Sequence, residues 1–136
     1  INPGMFCCNL RDGLAFDALR KHEIKMYILS TETNPVVLKR GRKIKIQVHH
    51  CSKDKLASLT KLAESQEFSL KNTFYIGNDL NDYFAMKAGG YSACPADSHP
   101  KIKEIAMFTL KTKGGQGVVR ELVESVFQLD MMSVFI

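Results

Sequence analysis

The chain alternates short, wholly apolar runs with longer stretches whose apolar residues recur every three or four positions. Runs of the first kind mark strands buried on both faces, and the second kind marks amphipathic helices packed on a sheet. From Gly13 the pattern is helical: Leu14, Ala15, Ala18 and Leu19 share one face, and Arg20, Lys21 and His22 fill the last turn. Met26 to Leu29 is a continuous apolar run and reads as a buried strand. Ser30 to Asn34 form a polar loop, Pro35 stands at a first helical position, and Gly41 is the expected stop of that short helix. Ile44, Ile46 and Val48 then alternate with Lys43, Lys45 and Gln47, a period of two with one wet face. Lysines on such a strand suggest a sheet edge protected against further pairing.

Ser52 is placed to cap a helix carrying Leu56, Leu59 and Leu62 and ending near Phe68. Phe74 to Ile76 is the central strand, and a helix from about Asn81 to Lys87 is closed by Gly89-Gly90. A short strand over Ser92 to Ala96, a helix from Pro100 through Ile105 and a small strand over Phe108 to Leu110 follow. Gly114-Gly115-Gln116-Gly117 reads as a turn, and Val118, Val119, Leu122, Val123, Val126 and Phe127 build an amphipathic C-terminal helix. Met5 to Cys8 is a candidate strand after a turn at Asn2-Pro3-Gly4. This order predicts an α/β fold with a mostly parallel sheet flanked by helices, in one domain over residues 1–136.

Composition narrows the function classes. No apolar run has the length of a membrane span, and no signal-peptide pattern opens the chain. Much of the +5 net charge lies in Lys39, Arg40, Arg42, Lys43 and Lys45, with no aromatic residue interleaved for stacking on bases. That run reads as a solvated helix end leading into a basic edge strand, not as a nucleic-acid site. A positive balance also suits a small anionic substrate. Cys7, Cys8, Cys51 and Cys94 show no C-x-x-C spacing, which points to free thiols in a reducing, cytoplasmic compartment. His49, His50 and Cys51 stand together, but neighbours on an extended segment point opposite ways, which disfavours zinc there. Ile1 is not a methionine, so the chain is expected to be a piece of something longer or a processed product.

In a parallel sheet, function gathers at the carboxyl ends of the strands. Ser30 and Thr31 end one strand, and their hydroxyls and backbone N–H groups suit phosphate oxygens. Lys55, in the first turn of a helix, can neutralise charge on a transferring phosphoryl group. Asn78, Asp79 and Asp82 end the central strand and offer oxygen ligands of the kind Mg2+ prefers. Singly these are a loop hydroxyl, a surface lysine and an Asn/Asp-rich turn; in this order along one α/β chain they point to phosphoryl transfer.

The order of a hydroxyl after a strand, a lysine and an acidic strand tip resembles the haloacid-dehalogenase-like superfamily. More narrowly, it resembles the small tetrameric 3-deoxy-octulosonate 8-phosphate phosphatases and the C-terminal domain of acylneuraminate cytidylyltransferases. The matching pieces are Arg11-Asp12-Gly13-Leu14, the stretch from Leu29 to Val37, Asp54-Lys55-Leu56, Gly77 to Asp82, Pro95 to Pro100, and Gly114 to Glu121. The resemblance implies a Rossmann-like fold and a Mg2+-dependent phosphatase acting on a sugar-acid phosphomonoester through an aspartyl-phosphate. Ser30 would match the phosphate-binding hydroxyl, and Lys55 the lysine that steadies nucleophile and phosphoryl group. Asn78 and Asp82 would match the pair near the metal, Asp12 and Gly13 would line the substrate pocket, and Arg120 would match a C-terminal segment near the active site. A homotetramer is implied as well, with the apolar tail Met131 to Ile136 compatible with a subunit contact.

Three departures stand out. The family's nucleophile and general acid lie in an Asp-x-Asp motif on the first strand, and this chain has none; Asp12 and Asp17 have the wrong spacing. The usual metal aspartate is Asn78, a neutral ligand that should weaken Mg2+ binding. Thr31-Glu32 stands where the phosphatases often have Gly-Arg. The chain is therefore expected to lack the family's first central strand through truncation, unless Met5 to Cys8 fills its place, and to be inactive alone. The alternative is a non-catalytic oligomerisation or regulatory domain of a cytidylyltransferase, with a nuclear location if that enzyme is eukaryotic.

Overall fold

The computed structural model describes residues 10–31, 35–51, 53 and 55–136. Helix α1 (Leu10–Lys21) begins three residues before Gly13, which lies exposed within its first turns. Its buried stripe is Ala15, Phe16, Ala18 and Leu19. Glu23 takes a left-handed φ of 60° and Ile24 N donates to Leu19 O, a C-terminal lock that turns the chain into β1 (Tyr27–Ser30).

Helix α2 (Pro35–Ile44) starts at its proline but runs past Gly41. That glycine is buried, and a Cβ there would overlap the Val48 side chain. It permits close approach of helix and strand and does not end the helix. The chain reverses at Lys45 (φ 60°), so β2 is Gln47–His50. The strand expected from the alternation at Lys43 to Val48 is corrected accordingly: Ile44 closes a helix, and the apparent period of two spans a helix end, a turn and a strand start. His49 and His50 are strand residues. Strand β2 pairs in parallel with β1, from Tyr27 opposite Gln47 to Ser30 opposite His50.

Helix α3 (Lys55–Ser65) ends three residues before Phe68, because Glu67 takes a left-handed φ of 58°. The expected cap, Ser52, lies outside the described residues. Strands β3 (Phe74–Ile76), β4 (Tyr91–Cys94) and β5 (Phe108–Thr109) form a second parallel sheet in the order β3-β4-β5. Phe74 stacks with Tyr91 and Phe108 across the three strands, at 6.2 and 6.1 Å between ring centres. Helix α4 (Tyr83–Ala88) follows a single 3-10 turn at Leu80–Asp82, and α5 (Pro100–Ile105) starts at its proline. Helix α6 (Val118–Glu121) continues as a π-helical turn over Leu122–Val126. The tail Met131–Phe135 is a 3-10 segment held to α1, where Lys21 Nζ donates to the Ser133 carbonyl. Met131 and Val134 pack on the core, while Met132, Phe135 and Ile136 are exposed.

Successive strand residues enter different core clusters: Ile28 meets α1 and α6, whereas its neighbour Leu29 meets α3. Ile76 and Tyr75 divide in the same way. Helices therefore cover both faces of parallel strands, as the apolar runs predicted. The sheet is interrupted, however: among the described residues no strand joins β1 to β3. Between them lies a cavity of about 680 Å3 with Tyr27, Leu29, Phe74 and Ile76 on its sides and Leu62 and Leu122 among its helical walls. Among the described residues, no helix is long and apolar enough to cross a membrane.

Candidate active site

The carboxyl end of β3 is built around Asp82. Its carboxylate is fully buried and accepts hydrogen bonds on both oxygens from the described residues. Oδ1 takes Lys55 Nζ at 3.0 Å and Tyr75 OH at 2.7 Å. Oδ2 takes the backbone N–H groups of Asn78 and Asp79 at 3.1 and 3.3 Å. Gly77 makes this possible, since a Cβ there would lie 2.6 Å from the Asp82 Cβ. Asp79 accepts from Leu80 N at 2.7 Å, completing a reciprocal cap at the start of the 3-10 turn. Lys55 opens α3 with its side chain 0% exposed, so a charge from the α3 start and a charge from the β3 tip meet away from solvent.

Burial alone would raise the Asp82 pKa; the Lys55 charge, the Tyr75 hydroxyl and the Asn78 N–H outweigh it and hold the carboxyl below its ordinary 3.8. Tyr75 moves the other way, pushed far above its ordinary value by burial first and by the Asp82 charge second. Asp82 is thus a fixed anion, Tyr75 a fixed donor, and Lys55 is directed by both.

Ser30 adjoins this cluster through Cys51. Cys51 N donates to Ser30 O at 2.8 Å, extending the β1–β2 ladder to the strand tips. Ser30 is itself fully buried, and Thr31 is half-buried. Burial pushes the Cys51 thiol up, against the pull of the Lys55 charge. Cys51 and Cys94 are both free thiols.

A second group joins α1 to α6. Asp12, 2% exposed, accepts Arg120 N at 3.1 Å. Gly117, at the helix N-cap, has no side chain to cap α6, so Asp12 supplies that function from another helix. Burial raises the Asp12 pKa, opposed by the N–H groups of Arg120 and Val119. Gly13 is exposed, and Arg120 turns its guanidinium to Glu124. The glycine turn before α6 is pinned twice: Gly114 N donates to Asp97 at 2.9 Å, and Glu121 accepts Lys111 N and Thr112 N at 3.0 and 2.8 Å.

Lys55, Asn78, Asp79 and Asp82 therefore come together at the β3 tip, while Asp12 and Arg120 meet in a separate junction. Tyr75 was legible only as a strand residue. A buried tyrosine needs a hydrogen-bond partner, and that requirement is the signal that could have pointed to it. Glu121 and Asp97, which anchor the glycine turn, carried no comparable signal.

A hard divalent cation needs several oxygen donors, carboxylates above all. Here both Asp82 oxygens are engaged, Asn78 offers a neutral amide, and Asp79 is exposed and caps its own turn. Among the described residues no group of three His, Cys, Asp or Glu side chains is placed to hold a metal ion. These residues do not by themselves make a Mg2+ site.

The sequence pattern of the haloacid dehalogenase-like hydrolases matches residues 9–122. The chain is 29% identical over 119 residues to the 3-deoxy-D-manno-octulosonate 8-phosphate phosphatase KdsC of Yersinia pestis, covering 87% of this chain and 64% of that protein. It is 26% identical over 129 residues to N-acylneuraminate cytidylyltransferase A of Danio rerio, covering 92% of this chain and 30% of that one. It thus spans less than two thirds of the length of either relative. The fold is shared with the 3-deoxy-D-manno-octulosonate 8-phosphate phosphatase of Moraxella catarrhalis, solved with magnesium, phosphate and KDO. The TM-score is 0.81 at 25% identity, over 92% of this chain and 70% of that one.

Proposed function

This chain belongs to the haloacid dehalogenase-like hydrolases, and on that premise we propose that it is the larger part of a sugar-acid phosphomonoester phosphatase whose nucleophilic aspartate it does not itself contain. The observation that carries the reading is the buried Lys55–Asp82 pair, braced by Tyr75, beside the tip of β1. A phosphate monoester brings negative charge to the strand tips, and a fixed ammonium is the group that offsets it. Ser30 and Thr31 would donate to the phosphate oxygens. The reaction needs a carboxylate whose oxygen attacks phosphorus while the ester P–O bond breaks and the sugar alcohol leaves with a proton. Water then attacks phosphorus in the acyl phosphate, releasing phosphate and regenerating the carboxylate. No Asp-x-Asp motif occurs in the chain to supply that group.

Magnesium would neutralise phosphoryl charge in such a reaction. The described residues do not fit it alone, so its carboxylate ligands would have to come with the nucleophile. The substrate class follows from similarity to the octulosonate phosphatases, and assembly as a homotetramer is proposed with it on the resemblance of the sequence alone.

A second reading has its own observation. The match to the cytidylyltransferase covers 92% of this chain but 30% of that enzyme, and Asn78 lacks the charge of a metal aspartate. On that reading the domain assembles or regulates a cytidylyltransferase without catalysis.

The test is to incubate the polypeptide with Mg2+ and either octulosonate 8-phosphate or acylneuraminate 9-phosphate. No phosphate release is expected from the chain alone. Release that persists in the Asp12→Asn, Asp17→Asn double variant would refute the statement that the nucleophile is missing.

A further inference from the structure

We infer that the outer edge of β2, together with the C-terminal half of α2 beside it, is a docking surface for an extended, acidic segment of a partner protein. Between Glu32 and Asp54 the chain carries no Asp or Glu, while Lys39, Arg40, Arg42, Lys43, Lys45 and Lys53 all fall within that stretch. Lys39, Arg42, Lys43 and Lys45 are exposed, and among the described residues none of these four is in an ion pair. Positive charge is therefore gathered on one surface without local compensation. Strand β2 supplies the second component. Cys51 N donates to Ser30 O, so the alternation of a parallel ladder turns the backbone groups of Gln47 and His49 toward β1. The N–H and C=O groups of Val48 and His50 then face outward, and among the described residues no strand covers that side. A hollow of about 370 Å3 lies beside this edge, lined by Leu38, Gly41 and Val48 with Arg42, Lys45 and Gln47.

Lysines commonly guard a sheet edge against further pairing. Here the basic residues sit on the helix end and the turn, and the strand itself, Gln47-Val48-His49-His50, bears no Lys, Arg, Asp or Glu. The edge is thus open to a strand, and the charge next to it selects which strand. A basic segment is repelled and an acidic one is drawn in. A second copy is disfavoured, because its own β2 would bring Arg42 and Lys45 against the same residues, and no two acidic residues of the chain lie closer than three positions apart. Nucleic acid would gain phosphate contacts but finds no Phe, Tyr or Trp between Pro35 and Cys51 to stack on, and it leaves the outward N–H and C=O groups without a ladder. An extended peptide satisfies them, sets carboxylates near Arg42 and Lys45, and offers an apolar side chain to Leu38 and Val48.

The experiment mixes the full chain with a short labelled peptide alternating Glu and Val, with the same peptide bearing a central proline, and with its Lys-Val counterpart. Hydrogen exchange is followed at the amides of residues 47–50. Docking predicts slowed exchange at Val48 and His50 with Gln47 and His49 unchanged, a pattern that loose attraction to a basic surface does not produce. The proline should weaken binding at least about tenfold, because it cannot donate to a ladder. The Arg42→Gln, Lys45→Gln variant, both positions being exposed, should weaken it about threefold or more, and added salt should weaken it too. Binding of the proline or Lys-Val peptide equal to that of the Glu-Val peptide, or no selective slowing with the Glu-Val peptide in excess, would overturn the inference. So would Val48 and His50 amides that are already slow before peptide is added. Slowness independent of concentration would mean that the chain itself covers the edge, and slowness rising with concentration that a second copy does. Slowing of those two amides by anionic phospholipid vesicles or single-stranded RNA, but not by the peptide, would assign the surface to a membrane or a nucleic acid and overturn it as well.

Discussion

The β3 tip and the α1–α6 junction are each organised around a buried aspartate, and the two are held in opposite electrostatic conditions. Asp82 and Asp12 are both almost entirely enclosed, and each accepts backbone N–H groups from the start of a helical segment. Asp82 also faces a buried lysine and a buried phenol, and its pKa is lowered. Asp12 has backbone donors and a more distant arginine charge, and burial raises its pKa. Backbone dipoles alone leave a buried carboxylate short of compensation; a full positive charge brings it past the ordinary value. The first arrangement suits a capping role, and the second suits a site that must keep charge ready.

The sharpest way to break this contrast is to remove the lysine. Lys55→Met leaves Asp82 buried without the Lys55 charge, and urea unfolding should show a loss of about 3–5 kcal/mol. A Lys55→Met, Asp82→Leu double variant should recover much of that loss. Tyr75→Phe removes one charge-assisted hydrogen bond but leaves the ion pair, so a smaller loss of about 1.5–3 kcal/mol is expected in the same measurement. At the other junction, Asp12→Ala uncaps α6 and should cost about 1 kcal/mol, reaching about 2 at most, with faster amide exchange at Val119 and Arg120.

The subtlest separation is in pH. Asp82 titrates lower in the folded chain than unfolded, so its contribution is present above about pH 4 and is lost as pH falls through the lowered folded pKa. Asp12 titrates higher when folded, so its contribution is fully present below the unfolded pKa and declines as pH rises through the raised folded value. Stability differences between the parent chain and Asp82→Asn or Asp12→Asn, measured from acid to neutral pH, should therefore slope in opposite directions. Slopes of the same sign would mean that the two aspartates are not differently compensated.

Much of this was legible in the residues. Apolar runs at Met26 to Leu29 and Phe74 to Ile76 became β1 and β3 within a residue, and Pro35 and Pro100 opened their helices. Lys55, Asn78, Asp79 and Asp82 were found from their places after strands. Gly41 misled because a glycine has two uses, ending a helix or admitting a neighbour, and only the position of Val48 tells them apart. The alternation from Lys43 to Val48 misled because six residues fit a strand as readily as a helix end and a turn. The Asp12 cap depends on a contact between segments distant in sequence, which no local pattern encodes; Tyr75 reaches Asp82 only seven residues on, but through a turn whose path the residue types do not specify.

The most direct measurement is phosphate release from octulosonate 8-phosphate, with Mg2+, by this chain joined at its amino end to an apolar strand carrying Asp-x-Asp. The account predicts turnover in the joined protein, none in the chain alone, and loss of turnover when Lys55 is replaced by alanine in a protein that still folds. A folded, joined protein that releases no phosphate, or one whose turnover is indifferent to Lys55, would contradict it.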